Sequence, residues 1–175
     1  NLAGAYQAAG RLSEAIPLYE QVFSGRSRVL GSDHRSTLMS RDELAGAYRE
    51  AGRFDEAIPL KKQILADAMR IMGPDSPGAL ASRHSLAATF RDAGRLDEAI
   101  TLYKQNLDDV ARVMGPHHPE TLASRHSLAG AFRDAGRLDE AISLYKENLE
   151  EFTRLAGPDH PHTLSARNQL AGIYR

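Results

Sequence analysis

The octet Ala93-Gly94-Arg95-Leu96-Asp97-Glu98-Ala99-Ile100 decides the fold, because it comes back. It recurs as Ala135-Gly136-Arg137-Leu138-Asp139-Glu140-Ala141-Ile142, as Ala51-Gly52-Arg53-Phe54-Asp55-Glu56-Ala57-Ile58, and as Ala9-Gly10-Arg11-Leu12-Ser13-Glu14-Ala15-Ile16. The copies begin at residues 9, 51, 93 and 135, a constant step of 42. A fixed period within about 20–50 residues marks a stacked repeat array, in which one supersecondary unit cannot bury its apolar face without its neighbour.

Outward from the octet, each repeat reads as two helices. Between Glu120 and Ala135 the apolar residues Leu122, Leu128, Ala129, Ala131, Phe132 and Ala135 follow a helical stripe and fail strict strand alternation. Pro119 stands where a helix can begin without losing a bonded N–H, and Gly136 where a left-handed cap ends one. The second helix carries Leu138, Ala141, Ile142, Leu144, Tyr145, Leu149, Phe152 and Leu155, with Asp139 and Glu140 in its first turn. Negative charge there favours the positive end of the helix dipole. Gly157-Pro158 closes it and Pro161 opens the next. So short a turn requires the two helices to pack antiparallel.

The expectation is an all-α solenoid of about nine helices, over 1–9, 12–30, 36–51, 54–72, 78–93, 96–114, 119–135, 138–156 and 161–175. They form a single array of just over four repeats: a partial one at about 1–38, then 39–80, 81–122 and 123–164, and a partial one at 165–175. Repeats 81–122 and 123–164 share 30 of 42 residues, which points to recent duplication. Both ends fall inside a repeat, so the chain reads as a piece of a longer array, without terminal caps. Two local rules are broken. Pro17 and Pro59 lie beyond the first turn of their helices, where a kink or tightened turn is expected. Lys61 takes the place of Tyr19, Tyr103 and Tyr145, and its stem is expected to cover the core while the ammonium reaches water.

Composition narrows the function classes. Lys plus Arg (22) nearly balance Asp plus Glu (23), so no global field draws the chain to nucleic acid or an anionic membrane. No apolar run approaches a membrane span. There is no cysteine, which excludes disulfides, thiol catalysis and thiolate metal sites. The expected location is cytoplasmic.

These residues resemble the tetratricopeptide repeat family. Its pattern of Leu, a small residue, an aromatic, Gly, Ala and a second aromatic is matched by Leu86, Ala87, Phe90, Gly94, Ala99 and Tyr103. In the next repeat Leu128, Ala129, Phe132, Gly136, Ala141 and Tyr145 match it. The usual repeat has about 34 residues. The longer second helix and the Gly157-Pro158-Asp159-His160-Pro161 turn are similar to the kinesin light chain variety found in bacterial multidomain proteins. The resemblance implies a right-handed superhelix whose concave face, lined by the first helix of each pair, holds a peptide or partner helix. It implies a non-catalytic interaction module, part of a larger bacterial protein and without a cofactor. An alternative is a structural array that self-associates end to end. A third is the sensor arm of a signalling ATPase, although no G-x-x-x-x-G-K-[ST] motif occurs.

By the family pattern the groove positions are Asp42 and Glu43, His84 and Ser85, His126 and Ser127, and Asn168 and Gln169. Gly46, Ala88, Gly130 and Gly172 follow one turn on and are too small to block a ligand. Then come Arg49, Arg91, Arg133 and Arg175 with Glu50, Asp92 and Asp134 beside them. A ligand with acidic groups facing His84, Arg91, His126 and Arg133 suits the guanidinium fork. The competing reading pairs each Arg with a neighbouring acid on a solvated face. A further column, Arg41, Arg83, Arg125 and Arg167, is either a phosphate-attracting stripe or a set of stems packed between helices and paired with acids.

Stacked helices place His84 and His126 about 8–10 Å apart by axis, too far to share an ion held at ~2.0–2.1 Å, so no metal is expected. His117-His118 and His160-Pro161-His162 sit at turns and read as helix starters. No Ser, His and Asp set stands out from the repeat background, so no enzyme is expected.

Overall fold

The computed structural model describes residues 1–173, the side chain of His162 excepted. Among the described residues there are nine helices and no strand: α1 Leu2–Ala8, α2 Leu12–Leu30, α3 Arg35–Glu50, α4 Phe54–Met72, α5 Pro77–Asp92, α6 Leu96–Met114, α7 Pro119–Asp134, α8 Leu138–Ala156 and α9 Pro161–Ile173. Each falls on an expected segment. The second helices begin and end as the octet implies. The first helices stop one residue early, because Ala51, Ala93 and Ala135 are caps rather than helical residues. Tyr174 and Arg175, expected at the end of the last helix, lie outside the described residues.

The chain packs as two compact bodies, Asn1–Ala93 and Gly94–Arg175. In the N-terminal body each helix from α1 to α5 packs on its chain neighbour, and the C-terminal body does the same from α6 to α9. The alanine of each octet explains how closely the hairpins approach. Ala15, Ala57, Ala99 and Ala141 are fully buried, and a larger side chain there would overpack the hairpin. Around them the N-terminal body gathers Ile16, Tyr19, Leu44, Tyr48 and Ile58. The C-terminal body gathers Ile100, Tyr103, Val110, Leu122, Leu128, Phe132 and Tyr145.

Two different turns alternate. After the first helix, Gly52 N–H donates to Arg49 O (3.0 Å) and Arg53 N–H to Tyr48 O (2.8 Å), with Gly52 at φ +71°. That pair of bonds is a Schellman motif and satisfies two orphan carbonyls. After the second helix, Gly73 caps at φ 91°, ψ 154°, an extended mirror-image conformation that only glycine adopts readily.

Helices α2 and α4 run through Pro17 and Pro59 without a break. In α2 the first turn is tightened by a bond from Glu14 N–H to Arg11 O (3.2 Å). The starts of the first helices are capped by side chains. His34 Nδ1 accepts from Ser36 N–H (3.1 Å), Ser76 Oγ from Ala79 N–H (3.2 Å), and His118 Nδ1 from Glu120 N–H (3.2 Å). The histidine beside Pro119 is thus a helix starter in fact. His117 bonds Glu151 at 2.9 Å.

Candidate functional site

In the N-terminal body the groove positions lie on α3 and α5. Lys61 corrects the sequence reading: its ammonium does not reach water but donates to Asp42 Oδ1 at 2.7 Å, and the whole residue is only 6% exposed. The stem fills the place of a tyrosine, and Asp42, itself exposed, neutralises the charge. Glu43 is half-buried. Burial, then the charges of Glu43 and Glu50, push the Tyr19 hydroxyl above its ordinary value. That hydroxyl donates to Gln7 Oε1 (2.7 Å), and Gln7 Nε2 donates to Glu50 Oε1 (2.8 Å). One repeat on, Arg49 Nε donates to Asp92 Oδ2 (2.5 Å). Equivalent turns of consecutive first helices are therefore cross-linked, residue 7 to 50 and residue 49 to 92. Between them opens a depression of about 360 Å³ lined by Gly46, Arg49, Glu50, Lys61 and Asp92. No atom would lie within 4 Å of a Cβ at Gly46, so this position does leave space. His84, Ser85 and Arg91 are half-buried on α5.

In the C-terminal body His126 is half-buried with its ring edge-on to Tyr145, centroids 5.5 Å apart. Ser127 Oγ donates to Ala123 O (3.1 Å), which spends its only donor inside the helix. Arg133 pairs with its own neighbour Asp134 at 3.1 Å. Asn168 is exposed and Gln169 half-buried. Gly130, expected beside the groove, is buried. For Arg49 and Arg133 the acid-paired alternative thus describes the resting state; Arg175 lies outside the described residues.

The second arginine column is largely structural. Arg41 is buried, its guanidinium on Asp67 of α4 and 5.6 Å over the Phe23 ring of α2. Arg83 is buried too, and Arg125 donates to Asn148 Oδ1 (3.0 Å) with Glu147 at 3.4 Å. Burial removes Arg41 and Arg83 from any phosphate-attracting stripe, and pairing removes the half-buried Arg125; Arg167 alone is exposed. Burial pushes the Asp67 carboxyl up, but hydrogen bonds from Arg70 and Arg41 outweigh it and hold the group below the ordinary carboxylate range.

Two sets of residues escaped sequence reasoning. The octet arginine lies against an aromatic of the first helix, Arg11 over Tyr6 at 4.7 Å, Arg53 over Tyr48 at 4.5 Å and Arg137 over Phe132 at 4.6 Å. Its other side grips the glutamate three residues on, Glu14, Glu56 or Glu140. The signal was present as Arg and Glu at constant spacing in every copy. The second set is Asn106 and Asn148, both buried on the apolar side of a second helix. Asn148 Nδ2 donates to Leu122 O at 2.9 Å and thereby fastens α8 to α7. An Asn repeated within an apolar stripe was the clue.

Among the described residues no group of three His, Asp or Glu is placed to hold a metal ion, and no helix is long and apolar enough to cross a membrane.

The sequence matches the tetratricopeptide repeat model over residues 1–70, 43–108, 78–147 and 124–175. No curated protein sequence matches it. Among solved structures it is similar to a candidate kinesin light chain of nearly identical TPR-like repeats from Podosopora anserina. The identity is 35% over 99% of this chain and 82% of that one, with a TM-score of 0.86. BtubC (BKLC) from P. vanneervenii shares the fold at TM-score 0.73, with 23% identity over 93% of this chain and 65% of that one.

Proposed function

The chain belongs to the tetratricopeptide repeat family, whose members are in general protein–protein interaction modules, and from that premise we propose that it binds a peptide or partner helix on the face lined by its first helices. The reading extends to one array of repeats (39–80, 81–122 and 123–164 with partial ones beside them) carried within a larger bacterial protein and located in the cytoplasm. The observation that carries it is the depression beside Gly46, where Arg49, Glu50, Lys61 and Asp92 converge without filling the space.

The ligand is an extended segment with acidic groups. In the N-terminal body these meet His84 and Arg91; in the C-terminal body they meet His126 and Arg133. The Arg133–Asp134 pair is an obstacle of little height, because both side chains are substantially exposed and such pairs contribute at most about 1 kcal/mol. A ligand carboxylate that engages the guanidinium fork with two bonds can displace Asp134. Asn168 and Gln169 supply amide donors and acceptors at the end of the row.

The test is fluorescence polarisation with an extended Glu/Asp-containing peptide interspersed with Gly and Ser. The double variant Arg91→Glu, Arg133→Glu is expected to lower its affinity about tenfold or more. Unchanged affinity would remove the acidic-ligand reading.

A second reading, self-association through the ends of the array, has support in the exposure of Leu2 on α1 and Leu164 on α9. It is weakened by Leu170, which stands on the same last helix as Leu164 and is buried. Light-scattering mass, measured on the same samples, separates the two: a concentration-dependent mass unaffected by peptide belongs to the ends.

A further inference from the structure

All four methionines of the chain, Met39, Met69, Met72 and Met114, lie outside the buried core. Methionine is ordinarily a core gap-filler, and on surfaces its flexible, polarisable side chain suits adaptable binding. Three of the four lie in the N-terminal body, at the edge where α2 and α4 end and α3 begins. Val29 and Leu30 close α2, Met39 stands on the first turns of α3, and Met69, Ile71 and Met72 close α4; all six are exposed, Val29 to 74%. These helix ends are neighbours. Arg70 Nη2 at the end of α4 donates to Asp33 Oδ1 in the α2–α3 turn (2.9 Å), and Arg41 of α3 touches both Phe23 and Asp67.

The apolar exposure is not a local accident of packing. Val29, Ile71, Val113 and Leu155 occupy the same place in successive repeats, always aliphatic and always exposed. Burial within its own hairpin therefore does not explain the residue type at this place.

Charge indicates what covers the N-terminal edge. Segments 26–41 and 67–75 hold five arginines against three aspartates, in a chain whose net charge is −1. Asp33 and Asp67 are already taken by Arg70 and Arg41. Arg28 and Arg35 are exposed, and among the described residues no ion pair or hydrogen bond engages either guanidinium. The edge thus offers pliable apolar side chains flanked by two uncommitted forks, each able to take a carboxylate with two bonds. An anionic lipid surface is the poorer match, since lipid recognition of this kind draws on clusters of about 4–8 basic residues, and here Arg26, Arg41 and Arg70 are already engaged by Ser36, Asp67 and Asp33.

We propose that this edge of the N-terminal body docks an acidic amphipathic helix of a partner protein, its apolar side chains on Val29, Met39, Ile71 and Met72 and its carboxylates on Arg28 and Arg35. The surface adjoins the face lined by the first helices, since Arg35 and Met39 precede Asp42 on the same side of α3, but it is built round the ends of α2 and α4 rather than round Arg91.

The full chain, labelled with ¹³C at its methionine methyls, gives four resonances that report the docking directly. The probe is a synthetic amphipathic helix of roughly 15–18 residues, long enough to hold helical structure, with Leu and Phe on one face and Glu on the other. Two controls accompany it: the same peptide with Lys for Glu, and phosphatidylserine–phosphatidylcholine vesicles. The acidic peptide should shift Met39, Met69 and Met72 and leave Met114 in place. Arg28→Glu, Arg35→Glu should weaken it about tenfold or more, whereas Arg91→Glu, Arg133→Glu should leave it unchanged. Both variants alter exposed or half-buried positions and leave the core intact. Unmoved methyls at saturating peptide would overturn the proposal. So would equal binding of the Lys peptide, loss through the first-helix variant alone, or shifts produced by vesicles and not by peptide.

Discussion

Tyr48 is buried between two charges: its hydroxyl donates to Glu20 Oε1 at 2.6 Å, and its ring lies under the Arg53 guanidinium. Burial, with the hydrogen bond to Glu20 next, pushes its pKa up to about 12. The charged form of tyrosine is the deprotonated one, so the folded protein keeps this proton longer than the unfolded chain. The stabilisation is complete below the unfolded value of about 10 and is lost as pH rises from there through the folded value. Its size is on the order of 2 kcal/mol. Tyr48→Phe should cost about 1 kcal/mol at neutral pH, from the lost bond, and should flatten the alkaline fall. Urea unfolding over the alkaline range checks this; a variant with the parent's alkaline slope would refute it. At this scale the sequence was legible where a residue repeated and opaque where it needed a specific partner. Tyr48 was visible as the aromatic of its repeat, but Glu20, 28 residues earlier, stands where the later repeats set Lys62 and Lys104 against their Phe, so the repeat gave no hint of an acid there. Lys61 was visible as an intruder among tyrosines, yet its fate turned on Asp42, which only the packing of α4 on α3 brings to it. The positions expected to line the groove do fall on the first helices. Whether each was spent on a neighbour, as Arg49 is on Asp92, depended on distances that sequence spacing does not carry.

At the scale of the element, the hairpin is defined by its glycines. Their places were plain in the octet and in the Gly-Pro turns, and every helix accordingly begins and ends within a residue of its expected position, the end of the last helix excepted, which lies outside the described residues. What could not be read was that the two glycines do different work. Gly52, at φ +71°, closes a Schellman motif in the left-handed region that asparagine also tolerates. Gly73, at φ 91° and ψ 154°, lies where asparagine gains nothing. No atom would crowd a Cβ at either place, so the cost of substitution is purely one of backbone conformation. Gly52→Ala should therefore lose about 1–2 kcal/mol, and Gly52→Asn distinctly less. At Gly73, Ala and Asn should cost alike, in the range of about 1–3 kcal/mol. Chemical denaturation of the four variants decides it, and equal losses for Ala and Asn at both positions would mean that the turns are interchangeable.

At the scale of the molecule, what matters is that each helix packs on its neighbours in the chain within its body. Stability in such a polymer of hairpins is close to a sum of repeat and nearest-neighbour terms, so damage should stay local. Asn148 allows a clean trial, since its side chain ties α8 to the Leu122 carbonyl and to Arg125 while contributing nothing to the N-terminal body. Asn148→Ala removes this bond and the acceptor that holds the Arg125 guanidinium, at a cost of about 1–3 kcal/mol. Native-state hydrogen exchange should then quicken in α7 and α8, with α2, α3 and α4 exchanging as in the parent. A globular domain with one cooperative core would spread the loss over every helix, and uniform acceleration would place the chain in that class. Local acceleration also bears on function. A binding face assembled from semi-independent repeats can adjust to its ligand one hairpin at a time, so a peptide covering only α7 and α8 should restore protection there and nowhere else.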